Sequence, residues 1–111
     1  MLKGHLDMIV LAALSAAGSA HGYAIIEEIK RRSGGAFDLP EGTIYPALHR
    51  LEQAGLLVSR WVTAESGRRR RVYSLTRLGE RALAERRAVW QQFSAAIGGL
   101  LAGTRPHGRP A

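Results

Sequence analysis

Glycine stops cut the first half of this chain into three short helices, and this punctuation constrains the fold more than any other feature. Leu6, Ile9, Val10, Ala13, Leu14 and Ala17 recur at three- and four-residue spacing, which is one face of a first helix. Gly18 ends it, because glycine tolerates the left-handed conformation of a helix C-terminus. Ser19 is the expected N-cap of a second helix. Tyr23, Ile26 and Ile29 form that helix's inward stripe, with Ile25 beside it. On its outer face Glu27 with Arg31 and Glu28 with Arg32 are i,i+4 pairs in the favourable orientation. Ser33, Gly34 and Gly35 close it, and Phe37 to Pro40 form a short extended link. A third helix opens at Gly42 and Thr43. With Thr43 as cap, Pro46 falls in the first turn, where its missing N–H does no harm. Ile44, Leu48 and Leu51 face inward, and Gly55 stops the helix.

The period then changes. Leu57 to Val62 and Val72 to Leu75 are rich in strand formers. Glu65, Ser66, Gly67 and the run Arg68 to Arg71 separate them, which predicts a hairpin with four arginines at a mobile tip. Thr76 caps a long helix that extends to about Ala102. In it Leu83, Trp90 and Ile97 stand seven apart, with Phe93 and Leu100 at the companion positions. This is a heptad seam, interrupted where Arg86 precedes Phe93. Gly98 and Gly99 weaken its last turns. From Gly103 the periodicity ends, so residues 103–111 read as a flexible tail.

A chain of 111 residues holds one ordinary domain, and 46% hydrophobic residues are enough to pack its core. A domain this small gains from oligomerisation. It has no cysteine, so disulfides and thiolate metal sites are excluded. Asp7 interrupts the only N-terminal stretch apolar enough for a signal peptide, and no run is long enough for a membrane span. The expectation is a cytoplasmic protein without membrane contact.

The order helix, helix, helix, hairpin, long helix is that of a mainly α winged helix-turn-helix followed by a C-terminal dimerisation helix. The boundaries are 1–75 for the DNA-binding domain and 76–102 for the dimerisation helix. The third helix, from Thr43 to Ala54, is then the one that enters the major groove. Its outward side carries Thr43, Tyr45, Pro46, His49, Arg50 and Gln53, groups able to meet bases or phosphates. An ordinary solvated helix face would look the same. The wing discriminates better. Lys and Arg number 16 against 9 acidic residues, a net charge of +7, and Arg supplies most of the excess. Arg68 to Arg71 repel one another in isolation, but beside a duplex they neutralise phosphates or enter a narrow minor groove.

Five blocks carry a family resemblance. They are His21-Gly22-Tyr23, Gly42 to Leu48 with Arg50-Leu51-Glu52, Gly55-Leu56, Gly67-Arg68, and Leu75-Thr76 with Gly79. In this order they resemble PadR-type regulators over about Leu6 to Phe93, and the short length resembles the branch with a single C-terminal helix. The resemblance implies a homodimer on double-stranded DNA with an inverted-repeat operator, repression, and release by a phenolic acid or another small molecule. It places Tyr23, Thr43, Tyr45, Pro46, His49 and Arg50 against DNA, with Gly67, Arg68, Arg69 and Arg70 of the wing. Two departures fall in the wing. Arg69 stands where the family often has Pro, and Val72 where an aromatic is frequent.

Leu83, Trp90, Phe93, Ile97 and Leu100 are the expected dimer residues. Multidrug-sensing members of the family resemble this chain in carrying a tryptophan near Trp90, so Val89, Trp90 and Phe93 are candidates for a small aromatic effector. Simple dimer packing explains the same residues. Trp61 reads as domain packing. His5, His21, His49 and His107 have no metal-closing spacing, and no catalytic triad or phosphate loop occurs. No cofactor, metal or enzymatic activity is expected. The rival reading is a winged-helix adaptor that docks its basic wing on an acidic protein.

Overall fold

The structure, a computed structural model, describes residues 2–105. Most of the expected tail, with His107, lies outside the described residues. Helix α1 (Leu2–Ala17) is followed by strand β1 (Ser19–His21), then α2 (Gly22–Arg32) and α3 (Glu41–Gln53). Strands β2 (Leu57–Thr63) and β3 (Arg69–Leu75) form the hairpin, and α4 (Arg77–Ala102) completes the chain. The sheet is antiparallel with order β1-β3-β2. Four helices and a small three-stranded sheet make the winged-helix architecture that the order of elements predicts. Among the described residues no helix is long and apolar enough to cross a membrane.

One apolar core joins the elements. Val10, Leu11 and Leu14 of α1 meet Ile25, Ile26 and Ile29 of α2 and Ile44, Ala47, Leu48 and Leu51 of α3. Leu57 and Tyr73 add the base of the hairpin. Tyr23 is not part of the inward stripe expected for α2. It is 59% exposed, and Ile25 takes its place. Glu28 pairs with both Arg31 and Arg32, so one carboxylate serves the two arginines assigned to separate partners.

Three local expectations are corrected. Ser19 does not cap α2. It opens β1, because Gly18 at φ +83° turns the chain so that Ser19, Ala20 and His21 pair with Ser74, Tyr73 and Val72. Helix α3 starts two residues before Thr43. Pro40 is its N-cap, and the Pro40 carbonyl accepts from Thr43 N at 3.0 Å and Ile44 N at 3.1 Å. Pro46 therefore sits inside the helix, where it leaves the Gly42 carbonyl without its helical donor. The hairpin is longer than expected. Arg69, Arg70 and Arg71 lie in β3, and the turn is closed by Ala64 N on the Arg68 carbonyl at 2.8 Å, with Gly67 at φ +86°.

The first turns of α4 belong to the same core. Leu83, expected in a dimer seam, is 5% exposed within its own chain. Its heptad spacing coincides with the stripe that packs α4 on the domain. Thr76 joins the start of α4 to the end of α3. Its Oγ1 donates to the Gly55 carbonyl at 2.6 Å and accepts from Gly79 N at 3.0 Å, and its N–H donates to the Leu56 carbonyl at 3.1 Å. This crossing requires a glycine at position 79, because a Cβ there would lie 2.1 Å from the Leu56 carbonyl oxygen. From 87 to 102 every residue is exposed, and α4 continues unbroken through Gly98 and Gly99. The radius of gyration is 17.8 Å, against about 13 Å for a compact chain of this length. The second half of α4 stands off the body.

Gly79→Ala should lower stability by about 1–3 kcal/mol, as overpacking against backbone does. Urea unfolding at fixed protein concentration measures it. An unchanged midpoint would show that α4 does not cross Leu56 this closely.

Candidate nucleic-acid interface

Burial of one side of α3 turns the other side outward. Ile44, Ala47, Leu48 and Leu51 are buried, so Tyr45, Pro46, His49 and Arg50 are exposed and Thr43 is half-buried. Tyr45 leans back over the start of α2. A Cβ at Gly22 would lie 2.5 Å from its ring carbons and hydroxyl, so glycine is what lets the Tyr45 ring rest there. Tyr23 projects beside it.

Tyr45, Tyr23, His21, Trp61 and the wing arginines line one groove of about 1000 Å³ between α2, α3 and the hairpin. Trp61 is therefore not domain packing. It is 53% exposed, and the guanidinium carbons of Arg69 and Arg71 lie 4.7 and 5.4 Å from its ring centroid. Such stacking holds the two cations against a flat surface. Arg70 Nη1 is 3.2 Å from His21 Nε2. A guanidinium only donates, so this ring nitrogen accepts and His21 is neutral in the pair. Partial burial, and then the Arg70 charge, lower the His21 pKa from its usual value. Arg71 reaches back to the body. Its Nε donates to Ser59 Oγ at 2.8 Å, and Ser59 donates to Glu52 Oε2 of α3 at 2.5 Å. Burial raises the pKa of the neighbouring Tyr73 phenol.

Arg50 differs from its neighbours on α3. It is paired with Asp7 of α1, a bond between α1 and α3 that no local pattern announces. Asp7 also lines a second cavity, of about 490 Å³, beside Trp90, Phe93 and Arg86. There the Trp90 and Phe93 centroids are 6.0 Å apart, and His5 meets Trp90 edge-on at 5.9 Å. Arg86 Nη1 is buried with no hydrogen-bond partner among the described residues. Val89 lines the same cavity. Ile97 and Leu100 lie further along α4 and are exposed.

Sequence reasoning missed Trp61, the His21–Arg70 contact and the Glu52–Ser59–Arg71 chain. Strand alternation was the available signal. With β2 and β3 extended across the arginine run, Trp61 falls opposite Arg71 and Ser59 opposite Tyr73, on one face.

Residues 10–85 match the family described as "Transcriptional regulator PadR-like family". The chain is 41% identical over 86 residues to Transcriptional regulator Rv3488 of Mycobacterium tuberculosis, covering 77% of each. A PadR-like transcriptional regulator of Bacillus cereus has a similar structure, with a TM-score of 0.80 at 28% identity, covering 94% of this chain and 98% of that one. A PadR family transcriptional regulator of Eggerthella lenta gives a TM-score of 0.76 at 33% identity, covering 92% and 86%. The chain belongs to the PadR-like family of transcriptional regulators.

Proposed function

We propose that this regulator is a cytoplasmic, non-enzymatic repressor that binds an inverted-repeat operator as a homodimer and is released by a small aromatic effector. The observation that carries the reading is the groove between α3 and the wing. It combines exposed aromatic side chains with four consecutive arginines. Tyr45, Pro46 and His49 meet base edges from α3, with Thr43 at the helix start and Tyr23 alongside. Arg68, Arg69 and Arg70, following Gly67, engage the backbone or minor groove. Arg50 joins them when a phosphate displaces Asp7. Tyr45→Ala should weaken operator binding by about 1–3 kcal/mol, the range for a good base contact, without moving the unfolding midpoint. Affinity for random duplex should fall steeply with salt through counterion release. Titrations by fluorescence anisotropy read both. Absence of duplex binding at low salt would favour an adaptor that binds an acidic protein.

Exposure of α4 on all sides from 87 to 102 supports the dimer. A lone helix of this length is marginal in water. Trp90, Phe93, Ile97 and Leu100 follow heptad spacing on it, which suits a helix packed on a second copy. Leu83 is absent from that set because its own domain buries it. Ile97→Asp should give a folded monomer that binds operator poorly, since one half-site supplies too few contacts. Sedimentation velocity checks this, and a surviving dimer would displace the seam.

The second cavity supports the effector. Its volume suits a small molecule, and Val89, Trp90 and Phe93 offer the apolar and ring surface. Saturable quenching of Trp90 fluorescence by flat aromatic dyes is expected, with Trp61→Phe used to remove the other indole. No quenching across a varied dye panel would reduce Trp90 to dimer packing.

A further inference from the structure

We propose that Arg71 is a positioning residue, not a phosphate contact: through Ser59 and Glu52 it locks the wing to α3 at the angle the groove requires. The inference rests on the reading of this groove as the DNA face, and it divides labour among four arginines that look equivalent in sequence.

The hairpin needs such a lock. Its anchors in the core are Leu57 and Tyr73, at its base. Between Ser59 and Tyr73, around the whole outer part of the hairpin, no side chain is buried. A two-stranded ribbon without a packed face is marginal on its own. Beyond Tyr73 the side-chain connections to the body are polar: Arg70 meets His21 of β1, and Arg71 reaches α3. Arg71 Nε lies 2.8 Å from Ser59 Oγ, Ser59 Oγ lies 2.5 Å from Glu52 Oε2, and Arg71 Nη2 lies 3.7 Å from the same oxygen.

The chemistry fixes the direction of every bond. A guanidinium cannot accept and an ionised carboxylate cannot donate. Ser59 must therefore accept from Arg71 and donate to Glu52, so its single hydroxyl is used in both roles. The Arg71 fork touches Ser59 with Nε and approaches Glu52 with Nη2, and its guanidinium carbon lies over the Trp61 ring at 5.4 Å from the centroid. A lysine ammonium cannot reproduce this planar fork. Arg71 is thus committed to Ser59, Glu52 and Trp61 at once. Among the described residues no carboxylate pairs with Arg68, Arg69 or Arg70, whose charges stay available for phosphates.

Lysine substitution separates the two roles, because an ammonium still meets a phosphate as a point charge but cannot reproduce the planar fork. On random duplex, Arg68→Lys should lose clearly less affinity than Arg71→Lys. Arg71→Lys retains the charge yet should bind roughly five- to tenfold more weakly, the effect of losing one hydrogen bond of ordinary strength. Its slope of log affinity against log salt should not change. Ser59→Ala, which alters no charge, should show the same loss, and combining it with Arg71→Lys should add little more. Wild-type affinity of Arg71→Lys or of Ser59→Ala would overturn the proposal.

A measurement without DNA completes the test. The Arg71 Nε–H, observed by ¹⁵N NMR, should exchange with water more slowly than that of Arg68, and Ser59→Ala should remove the protection. Equal exchange at the two arginines would overturn the lock. If no duplex binds at low salt, the DNA reading of the groove falls, and the exchange measurement still decides whether Arg71 holds the wing.

Discussion

Every functional element of this protein depends on how α3 is gripped. Four side chains, Ile44, Ala47, Leu48 and Leu51, are at most 1% exposed and fix the helix's rotation about its axis. Burying them is worth several kcal/mol in total at ordinary transfer values. Rotation by one residue position would put Tyr45, His49 and Glu52 where Ile44, Leu48 and Leu51 now pack. Two glycines then set the distances. Gly22 lets Tyr45 lie on the start of α2, and Gly79 lets α4 cross the end of α3 at Leu56. The groove between α3 and the wing is the space these contacts leave.

Much of this was legible in the sequence because helix periodicity and glycine stops are local signals. The stripe of α3, the Thr76 cap and the end of α4 at Ala102 follow from spacing alone. Strand β1 was not legible, since three residues cannot display an alternation and their partners lie fifty residues away. The arginine run hid half of β3, because polar residues at a turn and polar residues on an exposed strand face look alike. Leu83 was ambiguous for a different reason. A stripe that packs a helix on its own domain and a seam that packs it on a second copy share nearly the same spacing.

The same limit explains the candidate site. Sequence placed charge in the wing but could not assign it. Residue type says that an arginine can bind phosphate, whereas its partners say whether it is free to do so. Arg70 faces a neutral His21, Arg69 lies on Trp61, and Arg71 turns inward to Ser59 and Glu52. The contacts come from strand pairing across β1, β3 and β2, which no window of contiguous residues contains.

Asp7 joins the two candidate sites in one physical argument. It pairs with Arg50 on the face of α3 and lines the cavity of Trp90 and Arg86. The carboxylate pairs with Arg50, while Arg86 Nη1 stays buried in the cavity wall with no hydrogen-bond partner among the described residues. One side chain of α1 therefore touches both the exposed face of α3 and the cavity beside α4, so the placement of α1 sets the geometry of both.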